Sequence, residues 1–278
     1  MKRELTKHQL AIQSIHKTYR KRIWIPFIEG IKKYKLIEEN DNIAVCISGG
    51  KDSMLLALLM QELQKHSDFP FQINYLVMDP GYNKRNLDKI KENAATLNIP
   101  IQIYKSDIFS VVDNQNKYPC YLCARMRRGY LYKFAKEMGC NKIALGHHFS
   151  DVIETTLMGM LWGGQIQGML PKLHSKNFDN MELIRPMYCV HEKDIINWRD
   201  YNKLEFLNCA CKVTEKDENS GCETSTRKKT KELIKELKKE NPNVEKSIFN
   251  SIHNVCLDTL ISYKKDDIKY SYLDNYCE

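Results

Sequence analysis

Hydrophobic and polar positions repeat along the chain with two different periods. Short apolar runs such as NIAVCI have the length of a buried strand, whereas MLLALLMQELQKH has the length and composition of a helix. The expected strands are 42–47, 71–79, 99–107, 141–148 and 182–187, and the expected helices are 54–66, 86–98, 127–139, 150–161 and 191–205. This alternation predicts an α/β fold, with a parallel sheet of about five strands and helices on both faces.

The two ends of the chain show helical spacing without strands. Isoleucines recur at helical spacing among basic residues in 5–37, where Pro26 should break or kink the helix. Residues 212–226 have loop composition, 227–262 predict one or two helices, and the Tyr-rich tail 264–278 is expected to be loosely held. We therefore expect a basic helical N-terminal extension (1–40), an α/β domain (41–205), and a cysteine-containing loop with a C-terminal helical extension (206–278).

Polar motifs lie at the carboxyl ends of three of the predicted strands. SGGKDS occupies 48–53, MDPG occupies 78–81 and GHHFSD occupies 146–151. The carboxyl ends of parallel strands meet at one edge of the sheet, and ligands bind beyond that edge. Two glycines before a helix, with serines and a lysine, are typical of a phosphate site.

The SGGKDS loop departs from two common phosphate-binding patterns. A Walker loop would need glycine at Val45 and serine or threonine at Asp52, and G-x-G-x-x-G is not present in this segment. The loop therefore predicts a different grip on phosphate.

Net charge and hydropathy limit the partners. The formal charge is +8, and basic residues are concentrated in 1–40 and in RKKTKELIKELKKE at 227–240. Basic ends favour a polyanionic partner such as nucleic acid, although solvated helix faces explain them as well. No apolar run approaches the length of about 20 residues that spans a membrane, and the N-terminus lacks the apolar segment of a secretory signal. We expect a cytoplasmic protein without a membrane partner.

Ten cysteines in such a chain indicate metal binding, catalysis or packing rather than disulfides. Cys120 and Cys123 form C-x-x-C before an arginine-rich helix, whose N-terminus and arginines favour thiolates. The pair alone is consistent with zinc, redox or iron–sulfur chemistry. Further ligands would come from three downstream cysteines: Cys209, Cys211 and Cys222. The apolar surroundings of four others predict buried packing residues: Cys46, Cys140, Cys189 and Cys256. Cys277 is expected to be exposed.

These motifs together resemble one family. SGGKDS is the signature of the PP-loop (N-type) ATP pyrophosphatases, which have an adenine nucleotide alpha hydrolase-like, Rossmann-like fold. PCYLCARMRRG, IALGHHFSDVIETTLM, GGQIQGMLPKL and IRPMYCVHEKDI further resemble its tRNA 2-thiocytidine synthetase group. The resemblance covers roughly residues 15–260.

The resemblance implies that ATP activates a tRNA base oxygen, most simply at C2 of a cytidine, and that sulfur then displaces AMP. The residues implied for the nucleotide are Ser48, Gly49, Gly50, Lys51, Asp52 and Ser53 for pyrophosphate, Asp79 near the adenosine, and Gly146, His147 and His148 on the far side. Asp52 and Asp151 would hold Mg²⁺, and Asp52 is also expected to be catalytic. Ser150 stands where the family has a first acidic residue, and this replacement leaves the magnesium arrangement open.

In the resembled group, three cysteines hold a 4Fe-4S cluster with one open iron. Cys120, Cys123 and Cys209 are implied as these catalytic ligands, with Cys211 and Cys222 as alternatives; zinc and persulfide chemistry stay open. Arg125, Arg127 and Arg128 are implied contacts for RNA phosphate. The expected partners are tRNA, a cysteine desulfurase or sulfide as sulfur source, and a second copy of the chain through the N-terminal helices.

Three other functions remain open at this point. The same ATP chemistry with a nitrogen nucleophile would give an amide- or lysidine-type ligase. Thiolation of another base or of a small molecule is a second alternative. The third is a non-enzymatic, metal-bound RNA-binding module, which an intact SGGKDS disfavours.

Overall fold

The computed structural model describes residues 4–106, 108, 119–207 and 226–276, and for residues 119–124 and 275 it describes the backbone alone. Contacts divide the chain into two compact units. The first comprises Met1–Asp151 and Leu170–Glu223, and the second comprises Val152–Met169 and Thr224–Glu278. The division into 1–40, 41–205 and 206–278 stays a prediction.

The elements of the first half, in chain order, are α1 (Lys7–His16), a π-helical segment (Arg20–Trp24), α2 (Ile25–Lys33), β1 (Asn42–Ile47), α3 (Lys51–His66), β2 (Gln72–Asp79), α4 (Lys84–Thr96) and β3 (Ile101–Lys105). The second half contains α5 (Pro119–Glu137), β4 (Lys142–Ala144), α6 (Phe149–Leu161), β5 (Lys172–His174), β6 (Glu182–Ile184), α7 (Glu192–Tyr201), α8 (Thr226–Glu240), α9 (Val244–Ser251), β7 (Ser262–Lys265) and β8 (Ile268–Ser271). Short 3-10 segments lie at Leu257–Thr259 and Tyr272–Asn275.

The main sheet has six strands in the order β3-β2-β1-β4-β6-β5. All pairings are parallel except that of β5 with β6, which is antiparallel. The predicted α/β class is confirmed, and the chain adds an edge strand that its sequence pattern did not reveal. Chain order reverses between β1 and β4, so the carboxyl ends of these two strands flank the position where such sheets bind ligands.

The two faces of β1 enter two different cores. Ile43, Val45 and Ile47 pack with residues of α1, α2, α3, α4 and α7. Ala44 and Cys46 pack on the other face with residues of α5. Side chains alternate across a strand, so the continuous apolar run NIAVCI supplies both faces. The sheet is therefore covered by helices on both sides, as the sequence predicted.

The N-terminal helices are less regular than their pattern. Thr6 caps α1, with its hydroxyl accepting from the backbone of Gln9 at 3.2 Å. The chain then turns at residues 17–19 and continues through the π-helical segment into α2, where Pro26 is the second residue. Proline has no backbone N–H with which to donate a hydrogen bond to the preceding turn. The wider π-helical segment, one turn earlier, accommodates this missing hydrogen bond. The sequence predicts a break or kink at Pro26. The structure has instead a change from π-helix to α-helix just before this residue.

Three other expectations need correction. The helix with the C-x-x-C pair begins at Pro119, so Cys120 and Cys123 lie in its first two turns rather than before it. The tail is not loosely held throughout, because β7 and β8 form an antiparallel hairpin. Cys256 is exposed, whereas Cys46 and Cys140 are buried as predicted and Cys189 is half-buried. None of the described helices is both long and apolar enough to cross a membrane.

One ion network is buried in the first unit. The ammonium of Lys142, with a side chain 2% exposed, lies 2.7 Å from Asp41 and 3.2 Å from Glu182. Burial lowers the pKa of Lys142, but hydrogen bonds and charge from the two carboxylates outweigh burial and raise it. The network joins β4 to the turn before β1 and to β6.

Candidate active site

The loop after β1 is shaped by Gly49. Its φ is +87°, a conformation that side chains rarely adopt, and a Cβ there would lie 2.6 Å from Cγ1 of Ile90. The carbonyl of Gly49 also accepts a hydrogen bond from the backbone N–H of Leu207 at 3.2 Å. Gly49 is therefore required for both its backbone conformation and the close approach of α4.

Hydroxyl groups fix the loop to the helix that follows. Gly50 is the N-cap of α3, so the first turn of α3 presents free backbone N–H groups beside the loop. Ser53 donates to the carbonyl of Gly50 at 3.0 Å and accepts from the backbone and the hydroxyl of Ser48 at 3.1 and 3.2 Å. This arrangement preorganises an anion site at the N-terminus of α3.

Glu192, at the start of α7, joins the ion pair that Lys51 and Asp52 form. The ammonium of Lys51 lies 3.1 Å from Asp52 Oδ2 and 3.3 Å from Glu192 Oε1. Burial lowers the pKa of Lys51, but the two carboxylates raise it above the ordinary lysine value. Lys51 therefore carries its charge at neutral pH, and its ammonium is held on carboxylates in this state.

The other oxygen of Asp52 has a different environment. Asp52 Oδ1 is buried and has no hydrogen-bond partner among the described residues. The Nε2 atom of His148 lies 3.7 Å from it, beyond hydrogen-bond distance. A buried carboxylate oxygen without a donor is costly unless a cation or ligand meets it. This oxygen fits a bound Mg²⁺, which prefers carboxylate and phosphate oxygens.

The loop after β4 approaches the phosphate loop closely. A Cβ at Gly146 would lie 3.2 Å from the carbonyl carbon of Asp52 and from the backbone nitrogen of Ser53. Asp151 Oδ2 accepts from the backbone N–H of the buried His148 at 3.0 Å, which closes the turn that begins α6. Gly146 thus permits the two predicted halves of the site to meet.

Arg185 contacts His147, the first of the two adjacent histidines in the loop after β4. Its Nε donates to His147 Nδ1 at 3.3 Å, and its guanidinium also donates to the carbonyl of Leu170. Burial, followed by the charge of Arg128, lowers the pKa of Arg185 to about 10. Arg185 stays positive at neutral pH and adds a buried cation beside the loop after β4.

A cavity of about 390 Å³ lies between these loops and α5. Its polar walls include Ser48, Asp52, Ser53, His147, Asp151 and Arg127. Lys51 instead lines a smaller neighbouring cavity of about 260 Å³, together with Glu192 and Leu207. The larger cavity therefore combines hydroxyls, two carboxylates and an arginine, which suits a polyphosphate with a divalent cation.

The structure also describes three other predicted site residues: Asp79, Arg125 and Arg128. Asp79 is buried, and its Oδ1 accepts from the backbone N–H groups of Gly81 and Tyr82 at 2.9 and 2.7 Å. It forms the turn after β2, and its contact with adenosine stays a prediction. Arg125 and Arg128 are exposed on α5.

Of the predicted cysteine ligands, Cys120 and Cys123 are among the described residues. Cys120 and Cys123 lie three residues apart in the first two turns of α5. The N-terminal end of a helix favours thiolates. Cys209, Cys211 and Cys222 lie outside the described residues, as does Cys277, and the ligand set stays a prediction.

Sequence reasoning missed Glu192 and left the consequence of Ser150 open. Glu192 pairs with Lys51, and Ser150 accepts from the backbone N–H of Glu192 at 3.4 Å. The replacement of an acidic residue by Ser150 thus leaves a neutral acceptor at the N-terminus of α7. Both residues stand in segments that carried the family resemblance, which was the available signal.

Comparisons with known proteins agree with this geometry. A model of the PP-loop domain family matches residues 24–216. The tRNA-cytidine(32) 2-sulfurtransferase of Geotalea uraniireducens (strain Rf4) is 36% identical over 240 residues, which cover 84% of this chain and 92% of the relative. That of Vibrio campbellii (strain ATCC BAA-1116) is 34% identical over 274 residues, covering 96% of this chain and 87% of the relative. The chain belongs to the tRNA-cytidine(32) 2-sulfurtransferase family of PP-loop proteins.

A solved structure supports the fold assigned to this 2-sulfurtransferase family member. The U34-tRNA thiolase NcsA from Methanococcus maripaludis, determined with its 4Fe-4S cluster, superimposes with a TM-score of 0.65. It is 20% identical, and the match covers 82% of this chain and 76% of that one. The PP-loop fold inferred from SGGKDS is therefore confirmed.

Proposed function

We propose that this protein is an ATP-dependent tRNA sulfurtransferase that replaces the C2 oxygen of a cytidine with sulfur. The C2 oxygen attacks the α-phosphate of ATP, pyrophosphate leaves, and the base carries AMP on that oxygen. Sulfur at the sulfide level (HS⁻) then attacks C2, the bond from C2 to oxygen breaks, the oxygen departs with AMP, and the proton of HS⁻ goes to solvent. The observation that carries the proposal is the buried, unpartnered Asp52 Oδ1 beside the preorganised anion site of the phosphate loop.

The phosphate loop serves the first step. The N–H groups at the start of α3 and the hydroxyls of Ser48 and Ser53 bind the pyrophosphate moiety. Asp52 and Asp151 would hold Mg²⁺, which would supply positive charge opposite the charge that develops on the leaving pyrophosphate. Lys51 is held 3.3 Å from Glu192 and moves from this carboxylate to a phosphate oxygen when ATP binds.

The cysteines serve the second step. Cys120 and Cys123, in the first two turns of α5, would hold a 4Fe-4S cluster together with Cys209, with Cys211 and Cys222 as alternatives to Cys209. The cluster would supply an iron site for the sulfur to be transferred. Arg127 lines the large cavity and lies four residues after Cys123, so α5 connects the cysteines to the ATP site.

The partners follow from this chemistry. Exposed basic residues on α5 and α8 bind the tRNA backbone, which makes binding weaker as salt concentration rises. Free sulfide supplies the sulfur directly, or a cysteine desulfurase supplies persulfide sulfur that a thiol reductant releases as sulfide with two electrons, and the enzyme works on tRNA in the cytoplasm. A homodimer through the N-terminal helices is part of the same proposal.

Nucleoside analysis of bulk tRNA tests the substrate. Deletion of the gene should remove 2-thiocytidine and leave other thionucleosides unchanged, as measured by liquid chromatography with mass spectrometry. Wild-type protein should restore 2-thiocytidine, whereas Asp52→Asn and Cys123→Ala should not. Loss of a different thionucleoside would transfer the proposal to that base, and an unchanged thionucleoside profile would refute thiolation of tRNA.

Iron analysis tests the cysteine set. Anaerobically purified wild-type protein should be brown and contain about four iron atoms per chain. Cys209→Ala should lose iron as Cys123→Ala does, whereas Cys211→Ala and the exposed control Cys256→Ala should retain it. Retention of iron by Cys209→Ala with loss in Cys211→Ala would reassign the third ligand. A colourless wild-type protein without iron would refute the cluster.

A further inference from the structure

A group of metal-ligating side chains lies in the first unit outside the candidate active site. His16 is the last residue of α1, and Glu62 and His66 lie near the end of α3. The Nε2 atom of His16 is 2.9 Å from Glu62 Oε2, and that of His66 is 3.8 Å from the same oxygen. One ligand atom from each residue falls within 4.8 Å of the other two.

The spacing suits a small tetrahedral or octahedral ion. Residues four apart on a helix are neighbours on its surface, so Glu62 and His66 present their ligand atoms together. Ligand atoms around zinc, at bonds of about 2.0–2.1 Å, are roughly 3.3 Å apart. The separations of His16 and His66 from Glu62 Oε2, 2.9 and 3.8 Å, bracket that value, and the ligand atoms of the two histidines lie within 4.8 Å of each other, so a small side-chain movement would bring the three atoms to one ion.

Glu62 is an anion at the centre of the group. Its side chain is 6% exposed, whereas those of His16 and His66 are 31% and 62% exposed. Burial raises the pKa of Glu62, but hydrogen bonds from Lys65 and His16 outweigh burial and lower it. A buried, ionised carboxylate with two imidazoles on its solvent side is a ready receptor for a cation that reaches it from solution.

A third histidine borders the group. The Nε2 atom of His8 is buried and has no hydrogen-bond partner among the described residues. Burial and the charge of Lys65 lower the pKa of His8, whereas the charge of Glu62 raises it. His8 is therefore close enough to Glu62 and Lys65 to sense both charges, but it is not among the three residues whose ligand atoms lie within 4.8 Å of one another.

We propose that His16, Glu62 and His66 form a binding site for a divalent transition-metal ion of the zinc and nickel class. The ion joins the end of α1 to the end of α3, the helix whose opposite end forms the phosphate loop. His8 lies beside this group and is not one of its three ligands.

Lys65 competes with the metal ion for the carboxylate of Glu62. Its ammonium lies 2.6 Å from Glu62 Oε1, and its side chain is 57% exposed. It occupies the oxygen that does not face His16, and solvent exposure lets it swing away. Removal of this charge should therefore strengthen metal binding, whereas removal of a ligand should weaken it.

Tryptophan fluorescence gives a local readout, because the Trp24 ring lies 4.7 Å from the His16 ring. Tag-free protein, purified anaerobically, is titrated with Ni²⁺, which quenches a nearby indole. We expect quenching with a stoichiometry of one ion per chain, and its amplitude should fall in Trp24→Phe. The titration midpoint should rise at least about tenfold in His66→Gln and in His16→Gln.

Two further variants separate the site from general effects. His174→Gln removes a histidine that is 87% exposed and lies outside the group, and it should leave the midpoint unchanged. Lys65→Gln should lower the midpoint about tenfold, a gain that misfolding does not produce. Equal midpoints in wild type, His66→Gln and His16→Gln would overturn the proposal, as would weaker binding in Lys65→Gln.

Discussion

Replacement of Gly49 by alanine should damage the phosphate loop through two separable effects. The first is backbone strain, because an alanine at φ +87° pays about 1–2 kcal/mol. The second is overpacking, because the new Cβ would lie 2.6 Å from Ile90 Cγ1 and 3.1 Å from Leu207 Cδ1. Overpacking a rigid site costs about 1–3 kcal/mol. The free energy of unfolding should therefore fall by about 2–5 kcal/mol.

Gly139→Ala is the matched control. Gly139 belongs to the same unit, its φ is +72°, and the atom nearest to its added Cβ is the Asn42 amide nitrogen at 3.9 Å. Gly139→Ala introduces backbone strain but no steric clash, so its free energy of unfolding should fall by only about 1–2 kcal/mol. Urea unfolding followed by far-UV circular dichroism measures both variants, and equal losses within about 0.5 kcal/mol would refute the clash.

A double variant isolates the contact itself. Ile90→Ala alone should cost about 2–5 kcal/mol, because it opens a cavity in the core. It also removes the two Ile90 atoms that the new Cβ meets and leaves only the contact with Leu207 Cδ1, so Gly49→Ala with Ile90→Ala should be less destabilised than the sum by about 1–3 kcal/mol. The Gly49→Ala loop must also shift, so we expect a raised KM for ATP in that variant. An unchanged KM would show that the shift does not reach the nucleotide.

Three other substitutions have directions set by the structure. Asp52→Asn should lower kcat/KM for ATP by at least roughly 100-fold, whereas the exposed Asp200→Asn should not; equal kinetics would exclude Asp52 as a magnesium ligand. Lys142→Met should lose about 3–5 kcal/mol of stability and the more exposed Lys172→Met about 0–1, measured by urea unfolding. Because carboxylate partners outweigh burial and raise the pKa of Lys142, its stabilisation is present below the ordinary value of 10.5 and is lost as pH rises through the raised value. Wild-type stability should fall there, and Lys142→Met should lack that fall. Gly129→Ala, within α5 and with open space around its Cβ, should gain about 0.5–1 kcal/mol by thermal unfolding; a loss would reveal a hidden contact.

The central strands were predictable because burial on both faces makes them continuous apolar runs. NIAVCI was placed at 42–47, and the structure has β1 at Asn42–Ile47. The edge strand β5 was not predictable, since KLH at Lys172–His174 is three residues long and partly polar. Its pairing with β6 depends on contacts that a local period does not encode.

The candidate site shows the same division. Residues 48–53 and 146–148 could be found because glycines, serines and histidines follow predicted strands. The pairing of Lys51 with Glu192 joins residues 141 positions apart, and no local pattern predicts it. Asp79 was selected for its place after β2, yet its carboxylate bonds to the backbone of its own turn. A position at a strand end does not by itself distinguish ligand contact from turn formation.

Strand β5 has a consequence for the solubility of the fold. A parallel sheet that ended at β6 would expose a row of free backbone groups on which another chain could add a strand. β5 covers that row with three residues in antiparallel orientation. Two of these residues, Lys172 and His174, pair with Glu182 on the neighbouring strand. A short, charged margin offers a poor template for growth, so the strand protects a strongly apolar sheet against aggregation between copies.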